Sequence, residues 1–345
     1  MLASVVFSMF DSGLPLIALA GLAMYVASKA LADALLAGRP KMSGRLALGQ
    51  WVPIAVVAIA SVAGDRPAIA MGLIFSSSIA CLCLGTGAVA VLGFFPETST
   101  ARRSWTMVLP AGFLVFLAGF QGALSPWIAA VLLLQGLVVL LLWNNLQRIP
   151  GSPVPVIPVG RGIGFRIAQF SLAVYIACVG AWFAIHGVER ISSGSEFASP
   201  GLLTATLLSP LLVLPIIGGG TELAQRNQAS TAVDAQLGVV LLNICLLLPL
   251  VVLGYYLRQW IMQRVIHHPV SSTFPVALDL KAFPFPLGVW RVDVVMLIAL
   301  GLFVMPVALG RWVLTRQQGL GMMVGYAVYL ALAIKFQGYV LYGVR

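Results

Sequence analysis

Glu222 follows a largely apolar run from Leu202 to Ile217 and then Gly218, Gly219, Gly220 and Thr221. A carboxylate inside a membrane-spanning segment is costly, so a bound ion or proton is the first explanation to test. The glycines add to that expectation. They favour a helix break at 218–220, and helix carbonyls freed beside an acid are oxygen donors of the kind transporters use for ions. Pro210 and Pro215 lie upstream on the same segment, where either can kink a helix. A hard cation takes carboxylate, hydroxyl, amide and backbone carbonyl oxygens. Glu222, Thr221 and Asn243 supply the first three types, and Ser76, Ser77 and Ser78 offer hydroxyls from the other half of the chain. These six residues are the candidate cation-binding set. A plainer reading competes with it. Glu222 and Arg226 lie four apart, in the favoured order for a helical ion pair, and would form a wet surface pair if the helix ended early.

The remaining polar residues suggest structural roles. Asp234 is placed at the start of the next span, where an acid favours a helix N-terminus. Asp65 and Arg66, ahead of Pro67, read as a turn and helix start. Lys29 and Asp33 near the end of the first span, and Lys335 in the last, can reach the interface by snorkelling. His186, Glu189 and Arg190 look interfacial. Cys81, Cys83, Cys178 and Cys245 fall in apolar spans and read as small buried hydrophobes. His267 and His268 are adjacent without a third ligand, so no resident metal and no cofactor is expected. Gly321 and Gly325 have the spacing of a helix-packing motif. Paired acids, an activated nucleophile or clustered ligands are missing from the pattern, which argues against an intramembrane enzyme.

The elements that must position these residues are membrane helices. The chain has 345 residues, 60% hydrophobic and 9% charged, with mean hydropathy +1.02. Soluble domains average about 25% charged residues, so lipid has to be the outer solvent here. The net charge of +10 does not indicate nucleic acid, because the basic residues sit in short loops beside apolar spans. Runs of about 20 apolar residues cross a bilayer. On that basis spans are expected at 14–36, 46–63, 67–93, 106–120, 126–143, 167–187, 202–229, 232–257, 289–309 and 320–342. With the N-terminus outside, inner loops carry 11 basic residues and outer segments 6, which supports both termini outside. No cleavable signal is evident, because Met1 to Phe10 lacks a basic start.

A polar stretch rich in proline and glycine from Asn144 to Pro153 divides the chain. The expected organisation is a first five-helix repeat at 1–145, a cytoplasmic linker at 146–166 and a second repeat at 167–345. Five is odd, so the second half must be inverted relative to the first. Aligning 68–82 with 233–247 places Ser78 opposite Asn243 and Ile79 opposite Ile244. The long segment 258–288, with His267, Phe274 and Pro275, is expected to lie outside the spans as a partial lid.

Inverted halves, Gly220-Thr221-Glu222, and then Gly238 and Asn243 on the next helix resemble the calcium/cation antiporter superfamily, the membrane region of sodium/calcium exchangers. Bacterial cation/proton exchangers are the most similar group. The resemblance implies an all-α fold of about ten transmembrane helices in two inverted five-helix repeats, a secondary-active antiporter, and a site of Glu222, Thr221, Asn243, Ser76, Ser77 and Ser78. It covers nearly the whole chain by topology, and its motifs cover 46–93 and 218–250. The first repeat departs from the pattern. Where the family has proline then glutamate, this chain has Pro53 then Ile54. One carboxylate leaves a desolvated divalent ion undercompensated, so a single-acid site favours Na⁺, K⁺ or a proton over Ca²⁺. The same loss fits a relative that keeps the fold as a scaffold or partner subunit without transport. The partners implied are a monovalent or divalent cation, a proton and the lipid bilayer, with no nucleic acid and a homodimer left open. The expected location is a bacterial inner membrane, as a multi-pass protein.

Overall fold

The computed structural model describes residues 13–36, 42–92, 101–119, 122–146, 163–194, 199–266, 281–285, 289–308 and 314–340. Most of the expected linker 146–166, the His267-His268 pair and the middle of the 258–288 segment lie outside the described residues. The described residues form ten helices: α1 Leu14–Leu36, α2 Met42–Ala63, α3 Pro67–Leu92, α4 Ala101–Gly119, α5 Pro126–Leu146, α6 Ile163–Ser193, α7 Pro200–Gln225, α8 at 229–266, α9 at 289–308 and α10 Arg316–Val340. Seven of them are long and apolar enough to cross a membrane, and parts of α4 and α5 form shorter apolar helices. Helix is the form that satisfies backbone N–H and C=O groups within one segment, as lipid requires. The chain is an all-α, multi-pass membrane protein. The segments before α5 and before α9 add one small strand pair, β1 Ala123–Leu124 antiparallel to β2 Phe283–Pro284. The Tyr256 hydroxyl fastens it, donating to the Leu124 carbonyl at 2.8 Å and accepting from Phe283 N–H at 3.0 Å.

Apolar side chains point outward as well as inward. Leu22, Val131, Leu134, Leu172, Tyr175 and Val324 are each at least 60% exposed, as expected of a surface solvated by lipid tails. The centre belongs to α3 and the first half of α8, where residues 69–83 and 232–245 are buried throughout. α1 packs along α6 at one side, α10 against the end of α3, and α9 against α4.

Four of the spans are not uniform α-helices. π-helical turns occur at Cys81–Gly85 in α3, Thr204–Leu208 in α7, Asn243–Leu247 in α8 and Val289–Val294 at the start of α9. Such turns insert a residue into the hydrogen-bond ladder and concentrate at functional positions. By contrast, Ser209–Gln225 is continuous α-helix through Gly218, Gly219 and Gly220. The expected helix break at these glycines is therefore corrected. Each carbonyl there keeps its helical environment, and Thr221 Oγ1 donates back to the Gly218 carbonyl at 2.9 Å.

Local features recur along the chain in one register. Proline inside a helix falls at 53 and 215. Left-handed turn residues fall at Asp65 (φ 65°) and Asn227 (φ 59°). The next helices start at 67 and 229, and π-helical turns start at 81 and 243. Each pair is 162 positions apart (for the prolines, 215 − 53). The alignment of Ser78 with Asn243 is thus out of register by three, and Asn243 corresponds to Cys81. Apolar helices resemble one another at many offsets, whereas a positive φ on a non-glycine residue occurs at few places.

Candidate functional site

Asn243 opens the π-helical turn of α8 and is fully buried. Its Nδ2 donates to Ser77 Oγ at 3.0 Å and Ser78 Oγ at 3.2 Å on α3. Both hydroxyls in turn donate to the Ile74 carbonyl, at 3.3 Å and 2.7 Å. Asn243 Oδ1 has no hydrogen-bond partner among the described residues. A buried amide oxygen without a donor needs an explanation, and a bound cation is one. Ser76, also fully buried, spends its hydroxyl proton on the Gly72 carbonyl, which leaves oxygen lone pairs free.

Two more buried amides extend the polar group. Gln236 on α8 is 1% exposed, and its Oε1 accepts from Thr86 Oγ1 at 3.2 Å, just past the π-helical turn of α3. Gln50 on α2 is 4% exposed, with Oε1 unpartnered. Both lie against the glycines of α7. A Cβ at Gly219 would stand 3.0 Å from Gln50 Nε2, and one at Gly220 would stand 2.5 Å from Gln236 Nε2. The glycines therefore act through absent side chains: they admit two amides to the helix surface instead of loosening the backbone.

Glu222 is placed differently from the expectation. Its side chain is 62% exposed and ion-paired with Arg226 at 2.6 Å. α7 ends at Gln225, three residues on, so the carboxylate sits in the last turn and reaches out of the protein interior. The lipid-shielded acid anticipated there is corrected to an exposed i, i+4 pair. Glu222 nevertheless lines a cavity of about 200 Å³ together with Lys29, Asp33, Gln50, Gly218 and Gly219. The structure thus brings Asn243, Ser77 and Ser78 together by direct hydrogen bonds, places Ser76 next to the two serines on α3, and sets Thr221 and Glu222 apart, with Glu222 lining that cavity.

Other expectations change too. Asp234 lies one turn inside α8 and is 3% exposed, so it does not cap the helix start at Ala229. Asp65 and Arg66 do form the turn, and they also bond outward: Asp65 to Arg258 at 2.8 Å and Arg66 to Glu189. Gly321 and Gly325 do not pack a helix closely. A Cβ on Gly321 meets nothing within 4 Å, whereas Cβ atoms on Gly87 and Gly319 would each stand 2.8 Å from the other's carbonyl oxygen. The close approach of α3 and α10 is there. Among the described residues no group of three His, Cys, Asp or Glu could hold a metal ion.

Sequence reasoning missed Gln50, Gln236, Thr86 and above all Asp293. Asp293 is the one acid in the expected span 289–309, inside the π-helical turn of α9, and it is fully buried. The rule that singled out Glu222 applied equally to it. The proline positions carry a second missed signal. Pro53 is followed by Ile54 and, 162 positions on, Pro215 is followed by Ile216; both isoleucines are buried. A buried hydrocarbon follows the helix proline in both halves.

No protein-family model matches the chain, and no curated protein sequence does. Solved structures do. The sodium–calcium exchanger NCX_Mj, soaked with zero Na⁺ and Ca²⁺, is 16% identical with TM-score 0.60, covering 92% of this chain and 98% of the exchanger. The H⁺/Ca²⁺ exchanger CAX is 14% identical with TM-score 0.68, covering 99% of this chain and 91% of CAX. At these identities the likeness establishes a common fold.

Proposed function

With the fold of cation exchangers as the premise, we propose that the chain is a secondary-active cation antiporter that exchanges a monovalent cation, Na⁺ or K⁺, against protons by alternating access. The observation that carries this reading is the buried contact of Asn243 with Ser77 and Ser78, which leaves Asn243 Oδ1 unpartnered. It joins α3 to α8 at the centre of the molecule. The two halves, 1–145 and 167–345 about the linker 146–166, are read as inverted repeats, with both termini outside and the protein in a bacterial inner membrane. The recurrence of proline, left-handed turn and π-helical turn 162 positions apart supports the duplication.

The choice of cation follows from charge. The oxygens that meet at Asn243 are an amide and hydroxyls, and the positions after Pro53 and Pro215 are isoleucine. A dehydrated divalent ion among neutral oxygens lacks the charge that offsets its lost hydration, a deficit of many kcal/mol on a Born scale. A monovalent ion has far less hydration to replace. Glu222 takes the role of an acid lining the cavity that attracts cations toward Gln50, and Thr221 stands beside it in sequence. The experiment is cation flux in proteoliposomes for wild type, Asn243→Ala and Glu222→Gln. Flux abolished by Asn243→Ala, and reduced by Glu222→Gln at sub-saturating cation, supports the reading. Wild-type flux left intact by Asn243→Ala removes the central site.

A further inference from the structure

The Asp293 side chain is 0% exposed, and neither carboxylate oxygen has a hydrogen-bond partner among the described residues. Its π-helical turn, Val289–Val294, packs against α3, α4 and α10. From α10, the Tyr329 hydroxyl stands beside the carboxylate, without completing a bond of full hydrogen-bond geometry, since its oxygen is unpartnered too. Tyr326 lies next to Tyr329, ring centroids 5.7 Å apart, and near Cys81 and Cys83 of the π-helical turn of α3. The described side chains of α4 from Leu109 to Gly119 include no titratable group, and Arg291, on the turn itself, is exposed. Among the described residues the group beside Asp293 is the Tyr329 phenol, with Tyr326 and then the Cys81 and Cys83 thiols behind it, and none of these is a cation.

A lone carboxylate held inside a membrane-spanning bundle is costly unless its charge is met. Its negative charge has to be met by something that arrives from outside, a proton or a metal cation. A metal fits poorly. A dehydrated hard cation wants about six or more oxygens, and the described side chain beside the carboxylate supplies one, the Tyr329 phenol, with Tyr326 next to it. A proton needs one lone pair, and the O–H it forms can donate to the free Tyr329 oxygen.

We propose that Asp293 is a proton-binding site within the membrane: its carboxylate takes up a proton as O–H and later returns that proton, with no other bond formed or broken. The inference deepens the antiport reading and rests on it for its use in exchange, because α3 holds the serines of the cation site and packs against the turn that bears Asp293. Ser77 and Ser78 hold Asn243, and one turn on, Cys81 and Cys83 stand beside Tyr326 and Tyr329. Loading at Asp293 acts on the helix that holds the cation.

Two measurements test it. Infrared difference spectra of the purified protein across a pH titration read the carbonyl band of a protonated carboxyl directly. The expected band is lost in Asp293→Asn and displaced in Asp293→Glu, and Asp293→Glu carries the assignment alone if the asparagine variant does not fold. A titrating band that is the same in wild type and either folded variant, or no band in wild type, overturns the proposal. In proteoliposomes, Asp293→Asn is expected to lose proton-gradient-driven cation uptake and to keep cation–cation exchange. Proton-driven uptake equal to wild type overturns the proposal. An assigned band in a wild-type protein that moves no cation leaves the proton site standing and removes the antiport reading instead.

Discussion

Replacing Asn243 by alanine separates a binding role from a structural one. The change removes two hydrogen bonds, to Ser77 and Ser78, each worth about 0.5–1.5 kcal/mol net. Both serine hydroxyls keep the Ile74 carbonyl as acceptor, so the substitution leaves no hydroxyl proton stranded. It also removes Oδ1, the buried oxygen without a donor, whose desolvation costs about 1–3 kcal/mol. The two effects oppose each other at similar size, and stability without added cation is expected to change by no more than about 1 kcal/mol. The cation-dependent part behaves otherwise. A ligand at about 100 times its Kd stabilises the folded state by about 2.7 kcal/mol. Thermal unfolding in detergent, with Na⁺ or K⁺ titrated against a choline background at one scan rate, reads both quantities. Wild type is expected to gain Tm with one of the two cations, and Asn243→Ala to start near the wild-type value and gain nothing. A variant that keeps the full cation-dependent rise would refute the assignment of Oδ1 as a ligand.

Glu222→Gln breaks an exposed helical ion pair and is expected to cost no more than about 0.5 kcal/mol, read as an unchanged Tm, while KM for cation uptake rises and maximal flux persists. Gly87→Ala drives a methyl group into the Gly319 carbonyl where α3 meets α10, and a loss of about 1–3 kcal/mol is expected, read as a lowered Tm. Gly321→Ala, with open space around it, should be neutral or stabilising by up to about 1 kcal/mol in the same assay. A larger loss at 321 than at 87 would reinstate the glycine pair at 321 and 325 as the packing motif.

The spans were legible because lipid demands long apolar runs and little else. The expected 14–36, 67–93 and 289–309 agree with the observed helices to within a residue, and 167–187 fell short at both ends because the ends of α6 are polar. The π-helical turns were not legible, because an inserted residue leaves no mark in composition. Glu222 was misplaced for a related reason. Hydropathy ran through 218–222 without registering that α7 stops at Gln225 and that Arg226 stands within reach of the carboxylate. Asn243 and the serines were correctly paired through an alignment three residues out of register, since their contact depends on α3 crossing α8 and not on equivalence between halves. Ile216 and Asp293 were legible in principle. The Pro-Ile pair recurs plainly in the sequence, and one acid in an apolar span is conspicuous once the span is accepted.

The most direct measurement is ion-by-ion discharge of a preset pH gradient by the wild-type protein in sealed proteoliposomes, with Na⁺, K⁺ and Ca²⁺ added separately. An amide-and-hydroxyl site predicts that Na⁺ or K⁺ collapses the gradient and that Ca²⁺ alone does not. Discharge by Ca²⁺ alone, or by none of the three, would contradict it.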